Sequence, residues 1–184
     1  MPSDIILIGP QSAGKSTIGA LLANRLKLPQ YSMDEKRWTY YQEIGYDEVL
    51  AKKKREEEGA WGIIRYWKPF EAHAVERLLS DYTNCVIDFG AGHSVYENPL
   101  LFKRVQKALS PYPNVVLLLP SPDLEESVRI LNERNKNLPK DIRDTNEYFI
   151  RHPSNYKLAK FIIYTKLKTP TETCDEILKL VKAA

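Results

Sequence analysis

Residues Gly9-Pro10-Gln11-Ser12-Ala13-Gly14-Lys15-Ser16 fit G-x-x-x-x-G-K-[ST], a loop that turns its backbone N–H groups inward around nucleotide phosphates. Such a loop needs glycine wherever a Cβ would block the approach, and Gly9 and Gly14 stand at those places. Lys15 is spaced to reach the β- and γ-phosphates and the Ser16 hydroxyl to hold Mg²⁺, while the start of the following helix favours the anion. Gln11, Ser12, Ala13 and Thr17 complete the cradle. The flanks agree: Asp4 to Ile8 is a short apolar run of the kind found in buried parallel strands, and Thr17 to Leu26 carries apolar residues at helical spacing. Strand, loop and helix in this order restrict the chain to an α/β nucleotide-binding architecture.

A chain of 184 residues is expected to form one domain, 1–184, with a core large enough to need no disulfide or structural metal. The net charge is +3 with Lys and Arg dispersed, so nucleic acid is not an expected partner. Cys85 and Cys174 have no metal-ligand or C-x-x-C spacing and read as reduced packing residues. Neither a secretory signal nor an apolar stretch approaching the ~20 residues of a membrane span is present, and a cytoplasmic protein is the expectation.

Further along, Pro29 to Met33, Cys85 to Asp88, Val115 to Leu119 and Phe161 to Tyr164 read as strands between helical segments. The longest helical segment runs from Glu43 to Leu79, is interrupted near Gly59 to Gly62, and contains the charge run Lys52 to Glu58, a solvated helix face. The alternation predicts a three-layer α/β fold with a parallel five-stranded sheet and ligands beyond the carboxyl ends of its strands. Gly9, Asp34 and Asp88 all fall there. Residues 132–146 are polar, hold Pro139, offer little to bury and read as a mobile lid.

Several nucleotide-binding classes are disfavoured. Asn135-Lys136-Asn137-Leu138 and Thr165-Lys166-Leu167-Lys168 lack the final acid of a guanine-reading element, and Asp88 is followed by Phe89 rather than the Glu of motor-type ATPases. Asp88-Phe89-Gly90 spells a protein-kinase triplet, but no H-R-D loop precedes it. The segments Gly9 to Thr17, Asp34, Trp67-Lys68-Pro69-Phe70-Glu71, Gly90-Ala91-Gly92 and Arg151 to Ala159 together resemble the shikimate kinase family, within the nucleoside-monophosphate kinase-like group. The pattern departs from that family at Ser32, which replaces an Asp, at Lys68, which replaces an Arg, at Ala91 within the glycine triplet, and in the lid, which lacks Arg-Pro-Leu-Leu. Lysine cannot form the planar bidentate pair that arginine makes with a carboxylate.

The resemblance implies ATP- and Mg²⁺-dependent phosphoryl transfer to a hydroxyl of a small acidic molecule. It implies that Asp34 engages the acceptor hydroxyl, that Lys68, Gly90, Ala91, Gly92 and Arg151 bind the acceptor, and that residues 35–80 form its helical binding region. Glu71 would orient one of the two cations. On position alone Asp34 could equally cap a helix beginning at Glu35, and Asp88 could be a turn acid rather than a Mg²⁺ ligand beside Ser16. Arg134 is the candidate for stabilising the transferred phosphate from the lid, with Arg129 and Arg143 as competitors. His93, Trp61 and Trp67 are candidate pocket residues. A nucleoside or nucleotide kinase, whose aromatic residues would stack on a base, and a nucleotide-sensing module without transfer activity remain as alternatives.

Overall fold

The computed structural model describes residues 4–183. Five strands alternate with helices: β1 (Ile5–Ile8), α1 (Lys15–Leu26), β2 (Gln30–Ser32), α2 (Met33–Glu43), α3 (Glu48–Asp81), β3 (Val86–Asp88), α4 (Pro99–Leu109), β4 (Asn114–Leu119). There follow α5 (Leu124–Arg134), α6 (Lys140–Arg143), α7 (Thr145–Arg151), α8 (Pro153–Leu158), β5 (Phe161–Tyr164) and α9 (Pro170–Ala183). All strand pairings are parallel, in the order β2-β3-β1-β4-β5. The chain leaves β1 toward one side of the sheet and later crosses from β3 to β4 on the other, so a crevice opens at the carboxyl end of β1. Pairing of Leu7 with Asp88 and of Ser32 with Asp88 brings the ends of β1, β2 and β3 into one row below that crevice.

The apolar strands are buried on both faces, and successive residues serve different layers. Ile6, Ile8, Val115, Leu117 and Leu119 pack with α2, α3 and α4. Ile5, Leu7, Val116 and Leu118 pack with α1 and α9. Both cysteines are buried and free. Among the described residues no helix is long and apolar enough to cross a membrane.

The helical region differs from the sequence reading in ways that matter for the site. Met33 opens α2 instead of closing β2, and Ser32 precedes the helix. Asp34 is therefore inside the first turn rather than the residue that caps it. Gly59 breaks α3 with φ 66° and ψ −154°, a conformation that excludes almost every residue except glycine. The charge run before it is only partly a solvated face. Lys54 pairs with Glu58 at 2.6 Å along the helix, but Arg55 turns away to form a two-toothed pair with Asp141 of α6. Asp141 also accepts the Ala60 N–H at 3.1 Å, taking up a donor that the break leaves without a helical partner.

Candidate active site

A cleft of about 830 Å³ opens above the carboxyl end of β1, lined on one side by the phosphate loop and on the other by α2, α3 and the turn after β3. Gln11, Ser12, Gly14, Lys15, Ser16 and Thr17 face it. Ala13 is buried and packs in the core beneath. Gly9 has φ 136°, and a Cβ there would lie 2.5 Å from the Leu118 carbonyl oxygen, so only glycine lets β1 turn into the loop against β4. Gly14 has φ 98° and starts α1.

Lys15 is nearly buried and its Nζ donates to the Gly9 and Pro10 carbonyl oxygens at 2.9 and 2.8 Å. Burial lowers its pKa to about 8, against the raising effect of Asp34 and Asp88. The free protein thus gives up the Lys15 proton near pH 8, whereas a bound phosphate would hold it. Nucleotide affinity is expected to be flat below about pH 8 and to fall by about tenfold per pH unit above it. Titration calorimetry with ATP from about pH 7 to 9.5 checks this; an unchanged affinity at the alkaline end would mean that Lys15 stays protonated without nucleotide.

Ser16 and Asp88, separated in sequence, are brought together: Ser16 Oγ donates to Asp88 Oδ1 at 2.9 Å. Asp88 is buried, and Gln30 Nε2 at 2.7 Å and Ser32 Oγ at 3.2 Å also donate to it. Gln30 and Ser32, both from β2, steady this carboxylate. Ser32 was marked only as a departure from the family's Asp, and Gln30 read as an ordinary polar position on a weakly apolar strand.

Asp34 is more than half exposed and faces the cleft. A Cβ on Gly90 would lie 2.5 Å from Asp34 Oδ1 and 2.8 Å from His93 Nδ1, so glycine at 90 leaves room for both groups. His93 is fully buried, its Nε2 lies 3.3 Å from Tyr41 Oη, and burial lowers its pKa to about 3, which keeps it neutral. Ala91 and Gly92 line the cleft. A Cβ on Gly92 would come within 2.0 Å of Glu71 Oε1.

Lys68 and Arg151 do not converge. Lys68 Nζ is committed to Glu71 Oε2 at 2.6 Å and to the Gly92 carbonyl oxygen at 2.9 Å, beneath the Tyr96 and Phe149 rings. Arg151 lies outside the cleft, paired with Glu147 at 2.9 Å and with Glu125. Arg37, one turn after Asp34, lines the cleft, as do Lys52 and Arg55, and its Nη1 is 3.4 Å from Asp34 Oδ1. A basic residue on a polar helix reads as solvated, and its neighbour Trp38 was the one available hint. Trp67 lines the cleft, whereas Trp61 stands edge-on to Tyr148 elsewhere.

The 132–146 segment folds back onto the phosphate loop. Arg134 Nη1 donates to the Ser12 carbonyl oxygen at 2.9 Å, and Ser12 Oγ donates to Asn135 Oδ1 at 2.6 Å. Arg129 and Arg143 share a separate groove with Arg134, and Arg129 lies near Glu126. Contrary to the expectation of little burial, Asn135, Thr145 and Asn146 are buried, and Asn146 pairs with Asn132 at 2.8 Å. Amide-to-amide pairing buries polar residues that a hydrophobic pattern does not reveal.

No curated protein matches this chain. Among solved structures, shikimate kinase from Acinetobacter baumannii in complex with shikimate is 23% identical with a TM-score of 0.67, covering 98% of this chain and 93% of that one. Shikimate kinase from Aquifex aeolicus is 24% identical with a TM-score of 0.61, covering 98% and 96%. A gluconokinase from Sinorhizobium meliloti is 14% identical with a TM-score of 0.57, covering 99% and 93%. These likenesses establish a common P-loop kinase fold. The shikimate kinase family model matches residues 11–182, from the phosphate loop through the final helix. The chain therefore belongs to the shikimate kinase family and is a small-molecule kinase.

Proposed function

We propose that this cytoplasmic enzyme transfers the γ-phosphoryl group of ATP, with Mg²⁺, to a hydroxyl of a small acidic molecule. The observation that carries the reading is the placement of Lys15, Ser16 and Asp34 around one cleft, with Asp88 directly behind Ser16. Ser16 Oγ and Asp88 Oδ1 are hard oxygen donors 2.9 Å apart, a pair suited to Mg²⁺ with phosphate oxygens and water completing the shell. When bound, the ion supplies charge neutralisation to the β- and γ-phosphates. Lys15 would exchange its two carbonyl partners for phosphate oxygens, and the amides of the loop would hold the phosphate chain.

Phosphoryl transfer asks mainly for alignment and charge stabilisation. Asp34, exposed in the cleft and kept clear by Gly90, is placed to accept the acceptor hydroxyl's proton as the oxygen attacks phosphorus. Arg134, held at the phosphate loop through Ser12, is the lid cation nearest to that loop by contact.

The test is γ-phosphate transfer from ATP and Mg²⁺ across shikimate, gluconate, other hydroxy acids, sugars and nucleosides, each compared with ATP loss without acceptor. Transfer to a hydroxy acid is the expected result. Transfer confined to nucleosides would replace the proposal, and tight ATP binding with no transfer would favour a nucleotide-sensing module.

A further inference from the structure

We propose that Arg37 is the residue that recognises the acceptor's carboxylate, in place of the Lys68 and Arg151 pair that the family resemblance designates. This rests on the kinase reading for the identity of the cleft, but its physical basis is separate. Arg37 is mostly buried, its side chain about one-fifth exposed, and it lines the acceptor end of the cleft beside Asp34. Its guanidinium carbon lies 4.5 Å from the Trp38 ring centre and 5.2 Å from that of Trp67. Two indole rings therefore hold it by cation–π contact, which fixes the plane of the fork while leaving N–H groups uncommitted.

Its hydrogen-bonding is incomplete. Asp34 approaches Nη1 at 3.4 Å, and Nε is buried with no partner among the described residues. A buried guanidinium donor without an acceptor is costly unless something supplies one. Other cations near the cleft are engaged: Lys68 by Glu71 and Gly92, and Arg55 by Asp141. Lys52 is largely exposed and sits 3.9 Å from Glu56.

The charge balance selects the ligand. One guanidinium, ion-paired to Asp34 through Nη1 and with Nε unpartnered, suits a planar monoanion better than a phosphate dianion, which would face Asp34 with too little positive charge. Asp34 and Arg37 stand one helical turn apart on the same face. A hydroxyl at the first and a carboxylate at the second define a hydroxy acid whose two groups are close together. Its carboxylate would be held on the α2 side of the cleft, against the indole rings.

The experiment is equilibrium binding read by intrinsic tryptophan fluorescence, since Trp38 and Trp67 contact the group in question. Probes are a panel of four- to seven-carbon hydroxy acids including shikimate and gluconate, their uncharged counterparts methyl shikimate and sorbitol, and inorganic phosphate. In the wild-type protein at least one hydroxy acid should bind and its uncharged counterpart should not. Arg37→Met should weaken that acid by at least tenfold while ATP affinity is retained, which also shows that the variant is folded. Arg37→Lys, which keeps the charge but not the planar fork, should fall between the two, and Arg151→Met should bind as wild type does.

Unchanged acid affinity in Arg37→Met, or a loss in Arg151→Met instead, would overturn the assignment. So would a wild-type protein that binds inorganic phosphate but none of the acids. Arg37-dependent binding of an acid that is never phosphorylated would support the assignment while removing the kinase reading, so the two fail separately.

Discussion

Asp34→Asn is expected to retain ATP binding and to lower acceptor phosphorylation by about 10²–10⁴-fold, the range associated with loss of a positioned acid–base group. The substitution keeps the shape of the side chain and removes its charge and basicity. Asp34 is exposed toward the cleft, outside the buried core, and makes no capping bond for α2, so the fold has little reason to respond. The reduction should appear mainly in kcat, because the interaction strengthens as the acceptor oxygen loses its proton. Steady-state kinetics at saturating ATP, with the acceptor varied, separates the outcomes. Turnover within about threefold of wild type would place proton acceptance elsewhere, and a rise in KM alone would make Asp34 a binding group only.

Lys15→Met should reduce ATP turnover by about 10²–10³-fold, comparable to loss of one preorganised transition-state donor. Methionine matches the length of the lysine stem but cannot reach a phosphate oxygen with a charge. In the free protein the change also removes a buried ammonium whose solvation depends on two loop carbonyl oxygens, Gly9 and Pro10. Those oxygens then lose a donor, so the loop should loosen even before nucleotide arrives. Nucleotide binding by calorimetry and turnover by phosphate release measure the two effects separately. Wild-type values in both would sink the phosphate-loop assignment.

Much of this architecture was legible in the sequence because its signals are local and strong. The apolar runs at Ile5 to Ile8 and Val115 to Leu119 declared buried parallel strands, and the loop between β1 and α1 declared itself by glycine spacing. Asp88 was placed correctly at the end of its strand by the alternation of elements, whereas Asp34, expected at the end of β2, lies in the first turn of α2. What was hidden depends on which way a side chain turns. Arg151 follows the family pattern in sequence, yet Glu147 one turn before it and Glu125 on α5 draw it outward. Lys68, by contrast, occupies the expected helix and pairs with the nearly buried Glu71, the residue anticipated to orient one of the two cations. Arg37 carried no pattern at all, since its distinction lies in Trp67, thirty positions further on.

The break at Gly59 leaves one further mark on the molecule. The Ala60 amide, buried just past that break, donates its hydrogen bond to Asp141 of α6 rather than to its own helix. An amide so placed meets solvent deuterium only when its acceptor departs. Isotope exchange at that single N–H therefore reports how often the Ala60–Asp141 bond opens, and comparing its rate with and without nucleotide tests whether residues 132–146 move as a lid.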